Sequence, residues 1–456
     1  MKILFITPQV GRKANGQYVR TWQMEPLTIA TLYALTPSDI EVEYVDERLG
    51  ETPDYEKKYD LVAITVETYT AKRAYEIALE YQRRNIKVIL GGYHVTLIPD
   101  EARRFADAIC IRTAESQWTQ IITDLRRNEL RHTYNTPPLV QYEFVIPDRT
   151  IFGSRKYFKL SCVETGRGCP LSCNFCSIAA GSNSTYRARA IDSVLKDITQ
   201  TGGNSIFFVE DNFVGNIRHA KELLTAIKGL GIRWVGQGTL TMARDEQLLA
   251  LMRDSGCIGV LIGFESLDAA TLQLMNKNVN IKMGSFKDHI KRLHEFGIAL
   301  YGTFIFGYDS QTYSDILETA KRATEFGIFM AAFNHLMPFP GTPLYQTLKQ
   351  EGRLTHETWW LDPNFRFGQV PFNPKHMTPE ELRQGCLEAR KKFYGWHSII
   401  HRGIHNISGN CGYLSKAGAY LWINTMLRKE IDQKDGLPLG NEPAIPQPLI
   451  KNEIAL

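Results

Sequence analysis

Three cysteines crowd one stretch of the chain, Gly166-Arg167-Gly168-Cys169-Pro170-Leu171-Ser172-Cys173-Asn174-Phe175-Cys176-Ser177, spaced C-x3-C-x2-C just after the strand-like run Tyr157-Phe158-Lys159-Leu160-Ser161. Three thiolates can hold three irons of a cubic [4Fe-4S] cluster, and without a fourth cysteine nearby one iron stays open to a small chelating molecule. Zinc or plain buried thiols are the competing readings. A structural zinc site takes four protein ligands, usually from paired knuckles, and no second C-x2-C is present to supply them.

The elements around this triplet alternate. In residues 1–130, apolar strand-like runs at 3–6, 42–46, 61–64, 88–92 and 108–111 alternate with helical patterns at 26–35, 71–84 and 117–125. That rhythm predicts an α/β, doubly wound (Rossmann-like) parallel sheet whose ligand site lies at the carboxyl ends of its strands. Gly91-Gly92 ends one such strand, where bare backbone can approach a ligand closely. Residues 131–156, broken by prolines, read as a linker. From 157 to 345, six strand and helix units, from the strand at 158–161 to that at 329–336, predict a partial (β/α)6 TIM barrel with its chemistry at the carboxyl ends. Glu210-Asp211-Asn212, Glu265 and residues 302–309 fall at those ends, where an acid can serve a site or cap the next helix. Residues 346–456 read as a mainly helical cap.

Composition narrows the partners. The 456 residues exceed one typical core, and 53 Lys+Arg against 49 Asp+Glu give a net charge of only +4, with no long run of like charge to attract nucleic acid. The eight cysteines show no disulfide spacing. The chain opens on a strand-like MKILFIT without a signal-peptide core and has no run of about 18 apolar residues, so the expectation is a cytoplasmic protein that does not span a membrane.

The triplet, with Phe175 before its last cysteine, resembles the cluster loop of the radical S-adenosylmethionine (SAM) enzymes. There the open iron chelates the amino and carboxylate groups of SAM, and one electron splits SAM to a 5'-deoxyadenosyl radical. The resemblance makes Cys169, Cys173 and Cys176 the metal ligands and the catalytic centre. It implies that Glu210 and Asp211 accept from the methionine ammonium, that Glu265 bonds the ribose or methionine part, and that Ile305 contacts adenine. The N-terminal layout, with Gly91-Gly92-Tyr93-His94-Val95-Thr96, is similar to the cobalamin-binding domain of B12-dependent radical SAM enzymes. By that likeness Gly91 and Gly92 make room for the cobalamin tail, Thr65 and Tyr69 lie beneath the corrin, and His94 joins the cofactor contacts, although a lone histidine after such a turn commonly packs. The chain departs from the pattern twice: Thr7-Pro8-Gln9-Val10-Gly11 lacks the D-x-H-x-x-G of B12 proteins with a lower histidine ligand, and Arg112-Thr113-Ala114-Glu115-Ser116 replaces an acidic Gly-Glu-Gly-Glu.

The resemblance implies a cobalamin (B12)-dependent radical SAM methyltransferase acting at an unactivated carbon, with a cyclase, rearrangement or oxidation enzyme on the same scaffold as the alternative. It also implies a small-molecule or lipid-like substrate and an electron donor such as flavodoxin or ferredoxin. Arg187 and Arg189 are positioned to neutralise anions. Met242, Met275 and Met337 suit packing. The aromatic C-terminal part would shield a radical from solvent. Residues 413–427 suit either docking on the barrel or peripheral contact with a membrane surface. The tail from 432, rich in proline, is expected to run along the surface or fray.

Overall fold

The computed structural model describes residues 1–12, 23–136, 144–182, 184–407 and 413–441. Residues 137–143 of the expected linker and Cys411 lie outside them. Strands β1 (Lys2–Thr7), β2 (Glu41–Asp46), β3 (Leu61–Thr65), β4 (Lys87–Gly91), β5 (Ala108–Ile111) and β6 (Thr133–Asn135) form one sheet in the order β2-β1-β3-β4-β5-β6, parallel throughout. Helices α1 (Leu27–Ala34), α2 (Ala71–Arg83), α3 (Tyr93–Leu97), α4 (Pro99–Ala102) and α5 (Trp118–Arg126) complete this layer. Successive residues point to opposite faces: Ile3, Phe5, Ala63 and Ile89 pack with Trp118 and Ile121 of α5, while Leu4, Ile6, Val62 and Val88 pack with Tyr75 and Ala78 of α2. β6 falls where the sequence reads as linker, because three residues are too few to show a period.

Strand β7 (Ser161–Val163) opens the second layer, followed by an antiparallel hairpin, β8 (Gly166–Gly168) and β9 (Tyr186–Ala188), that brackets helix α6 (Ser177–Ser182). Strands β10 (Ser205–Phe208), β11 (Arg233–Gly238), β12 (Cys257–Glu265), β13 (Ala299–Phe306) and β14 (Met330–His335) then build an open parallel barrel in the order β14-β13-β12-β11-β10-β7. Helices α7 (Ile191–Gln200), α8 (Ile217–Ile227), α9 (Glu246–Asp254), α10 (Ala269–Leu274), α11 (Asn278–Ile281), α12 (Phe286–Glu295) and α13 (Tyr313–Glu325) alternate with them. Leu300, Gly302, Phe304 and Phe306 of β13 are buried, whereas Ala299, Tyr301, Thr303 and Ile305 are only half-buried. The barrel therefore packs its outer face and leaves its inner face open, unlike a closed barrel filled with side chains. The strand expected at 158–161 starts at Ser161, because only Ser161–Val163 pairs with β10.

Both barrel edges are occupied by side chains, which removes the unpaired backbone that an edge strand would present. At β7, Arg149 donates to the Cys162 carbonyl and the Cys162 amide donates to Glu25 at 3.1 Å. At β14, the Tyr394 hydroxyl bonds both backbone groups of Ala331, and Arg390 donates to the Phe333 carbonyl.

The C-terminal part serves both layers. Helix α14 (Pro343–Gln350) begins where the Thr342 side chain caps it and Pro343 starts it. Trp359, Trp360 and Phe365 enter the core of the first layer beside α2. Helices α15 (Pro379–Phe393), α16 (Trp396–Ile407) and α17 (Tyr413–Glu430) cover the β14 side of the barrel. Residues 432–441 do not fray: the Gly440 amide donates to the Val10 carbonyl at 2.7 Å and the Asn441 amide to the buried Glu76, which returns the chain to the first layer.

Candidate active site

Cys169, Cys173 and Cys176 lie in the loop between β8 and α6, at the carboxyl end of the barrel, and protein contacts define the loop's shape. Asn174 is its hub: Nδ2 donates to the Leu274 carbonyl at 2.7 Å, Oδ1 accepts from the Tyr308 hydroxyl at 2.7 Å, and its carbonyl accepts from the Leu344 amide at 3.0 Å. Asn276 Nδ2 donates to the Ser172 carbonyl at 2.8 Å. Before the first cysteine, Gly168 takes φ +86°, and a Cβ there would sit 2.2 Å from the Thr185 carbonyl oxygen, so only glycine fits. Phe175 packs half-buried on the barrel core.

Burial pushes the Cys173 thiol up to about 11 and raises Cys176 as well, the latter partly offset by the amides of Ala179 and Ile178. A thiol ligates as thiolate, so a site this dry favours ionisation only beside a bound cation. Buried Lys277 stands by these thiols and donates to Glu265 Oε1 at 2.7 Å. Burial alone would lower its pKa, but Glu265 and Cys173 outweigh that and raise it, so the ammonium stays charged. Glu265 itself sits at φ +62°, where the β12 to β13 register shifts, a strained backbone position for a residue with a Cβ. One of its oxygens is thus committed to Lys277, a partner that the sequence alone does not disclose, because nothing in residue order marks a buried lysine.

At the end of β10, Glu210 is 1% exposed and accepts from the Thr165 hydroxyl at 2.7 Å through Oε2. Its Oε1, the Asn212 Oδ1 and the Tyr186 hydroxyl have no hydrogen-bond partner among the described residues. Burial raises the Glu210 carboxyl to about 8. Orphaned buried polar atoms are costly. A neutral acid and an amide oxygen beside the cluster loop suit a cationic donor such as an ammonium, and Asn212 Nδ2 lies 3.6 Å from Cys169 Sγ. Asp211 does different work: its Oδ2 accepts from the Gly168 amide at 2.8 Å and holds the loop. Ile305 faces the open side of the barrel. Arg189 is fixed by buried Asp197, Ser193 and the Glu164 carbonyl, so it serves as structure.

On the first layer, Gly92 has φ +108°, and a Cβ there would stand 2.6 Å from the Val66 carbonyl oxygen. Gly91 has only ordinary clearance, 3.7 Å from Cys110 Cβ, and pairs with Thr65. Thr65, Gly91 and Gly92 line an apolar slot together with Phe5, Ile89 and Trp118. Tyr69 lies apart from this slot, ringed by Trp359, Phe367 and Phe339 at 5.0, 5.1 and 6.1 Å. His94 is corrected: it is fully buried, with Nδ1 at 3.2 Å from the Thr68 hydroxyl and Nε2 at 3.1 Å from Glu101, so both ring nitrogens are engaged and neither reaches a cofactor.

The two layers meet carboxyl end to carboxyl end. Helix α6, directly after Cys176, packs on α3, directly after Gly92, and a Cβ on Gly181 would touch the Tyr93 ring at 3.4 Å. Arg167 of β8 bridges Glu164 and, across the junction, Glu115 at 2.8 Å. Gly341 rests on Leu97 while Leu344 bonds Asn174, so the turn before α14 clamps both layers. Tyr93 projects into the space between them. Its surface is 42% accessible, yet burial raises its hydroxyl pKa, with Asp211 adding to the rise, as befits a group lining an enclosed gap. Sequence pattern passes over Tyr93, since only the meeting of two distant segments gives it a place.

Comparison with known proteins follows the same line. Residues 163–323 match the Radical SAM superfamily. The chain is 29% identical over 389 residues to bacteriochlorophyllide d C-12(1)-methyltransferase of Chlorobaculum tepidum, covering 83% of this chain and 84% of that one. It is 23% identical over 447 residues to the anaerobic magnesium-protoporphyrin IX monomethyl ester cyclase of Cereibacter sphaeroides, covering 88% of this chain and 71% of that one. The fold superposes on the radical SAM methyltransferase TsrM of Kitasatospora setae, solved with cobalamin and a [4Fe-4S] cluster, with a TM-score of 0.65 at 16% identity over 94% of this chain and 99% of that one. Motif and matched domain together make residues 163–323 a radical SAM domain, and the two-layer fold around it is the one seen in the cobalamin-bound TsrM structure.

Proposed function

We propose that the chain is a cobalamin-dependent methyltransferase that uses SAM cleavage to activate an unactivated carbon of a small or lipid-like substrate. The observation that carries this reading is the opposition of the two carboxyl ends, with α6 on α3 and Tyr93 in the gap, which sets a cluster loop against a glycine edge. Cys169, Cys173 and Cys176 would hold the [4Fe-4S] cluster, Glu210 with Asn212 the SAM ammonium, and Thr65, Gly91 and Gly92 the corrinoid. When bound, these groups supply a hydrogen-abstracting radical and a methyl group. The chain does the rest. Lys277 offsets the thiolate charge at Cys173, Glu210 gives up its proton as the ammonium arrives, and Asn174 with Tyr308 keeps the loop in place. Tyr69, Phe339, Trp359 and Phe367 pack together in the first layer's core and keep that part of the layer apolar, which suits radical chemistry.

The methyltransferase relative supports methylation; the cyclase relative supports the alternative, ring closure or oxidation on the same scaffold. Product analysis separates them. With reconstituted enzyme, reductant and candidate substrates, methylation yields 5'-deoxyadenosine and S-adenosylhomocysteine together, and 5'-deoxyadenosine alone would refute it. Alanine at any of Cys169, Cys173 or Cys176 is expected to abolish both products and the cluster's iron.

A further inference from the structure

We infer that the outward face of α16 and α17 docks in the plane of an anionic lipid surface. Along α16, Trp396, Ile400 and Ile404 recur every four residues and are 53%, 67% and 66% exposed. On α17, Leu421 and Trp422 are 45% and 56% exposed. These side chains are not the inner face of the pair. The inner face is filled by Arg402, fully buried and donating to the carbonyls of Ile328, Phe329 and Phe393, and by Tyr420, whose hydroxyl donates to the Ile399 carbonyl at 2.6 Å. The apolar stripe is therefore an extra surface on a pair of helices already docked.

Charge decides what covers it. The 34 residues from Trp396 to Lys429 contain no Asp or Glu, although 49 acids in 456 residues would place about three or four there by composition. Arg402 is turned inward, so the cations that the described part of this stretch leaves at the surface are Arg428 and Lys429. The Arg428 guanidinium lies 5.5 Å from the Trp396 ring centre, which sets a cation at the edge of the apolar stripe. Exposed tryptophan and aliphatic side chains bordered by cations, with a single half-buried acid, Glu430, at the far end of α17, form the pattern of a helix lying at a membrane interface. A second copy of the chain is a poorer occupant, because a two-fold contact would bring this cationic face onto itself. Among the described residues no helix is long and apolar enough to cross a membrane, so the contact is peripheral.

The test is sedimentation of the full-length reconstituted protein with phosphatidylcholine vesicles, with and without phosphatidylglycerol. Binding to the anionic vesicles is expected to be tighter by about tenfold or more and to weaken as salt rises, since each cation near the surface contributes roughly a factor of five. Ile400→Glu should abolish the binding with cluster content unchanged, and Lys429→Gln should weaken it by about that factor. Equal partition to neutral and anionic vesicles, no sedimentation with either, or a concentration-dependent dimer dissolved by Ile400→Glu would each overturn the proposal.

Discussion

The two layers share a parallel α/β plan but handle a ligand by different physics. The first sheet is packed on both faces, so its site is a matter of shape: a glycine that admits no Cβ, and an apolar slot. The barrel is open on its inner face, and its site is a matter of charge: a buried lysine beside thiols, and a buried acid with an orphaned oxygen. If that contrast holds, a steric change should matter most in the first layer, and an isosteric change of charge most in the second.

The largest effect is expected at Lys277. Lys277→Met leaves the Glu265 carboxylate buried and unpaired, which costs about 3–5 kcal/mol, and it removes the cation beside Cys173, which should shift the cluster's reduction potential to more negative values. Chemical denaturation and redox titration measure the two effects. Adding Glu265→Gln should restore most of the stability and part of the potential, because it discharges the stranded carboxylate, which also acts on Cys173, without replacing the cation. A double variant as unstable as the single one would show that Lys277 acts through packing alone.

Gly92→Ala probes the first layer. The methyl would enter the Val66 carbonyl at a φ that L-residues avoid, so a loss of roughly 2–4 kcal/mol and a lower Tm are expected. Cobalamin uptake, read from the visible spectrum, should fall with it, while SAM cleavage at the other layer persists. Gly91→Ala, with ordinary clearance, should be mild. Equal damage at both positions would dissolve the steric reading.

The same contrast, between what neighbours in the chain encode and what distant segments build together, separates the legible features from the illegible ones. Short-range pattern carries the strands and helices, the cluster loop and the Gly91-Gly92 edge, since each is encoded within a few neighbouring residues. Contacts between distant segments are illegible in residue order: Lys277 on Glu265, Tyr93 between the layers, and the return of Gly440 to Val10. His94 shows the reverse error. Its motif position suits a cofactor, but Trp360, more than two hundred residues later, closes over Glu101 and His94 and turns the ring into packing. Likewise the aromatic residues that suggest a lid over the barrel in fact fill the first layer's core, because hydrophobic composition says that a segment is buried and not against what.

The effect that bears most directly on the barrel's use of charge lies at Glu210. Its carboxyl ionises near 8 in the folded protein, against about 4.3 in an unfolded chain. Between about pH 5 and 8 the unfolded state therefore holds fewer protons than the folded one, so stability without ligand falls as pH rises through that window. Glu210→Gln should abolish this slope. SAM binding should show the opposite trend, since an ammonium favours the ionised carboxylate: affinity should rise with pH by at most about tenfold per unit until the carboxyl or the amine titrates, near 8. Calorimetry in buffers of different ionisation enthalpy would count the proton released, and in the glutamine variant that proton should vanish and affinity should be weaker and flat with pH. A glutamine variant that keeps the wild-type pH dependence would mean that the orphaned oxygen at the end of β10 answers to some other group, and that charge is not how this barrel holds its ligand.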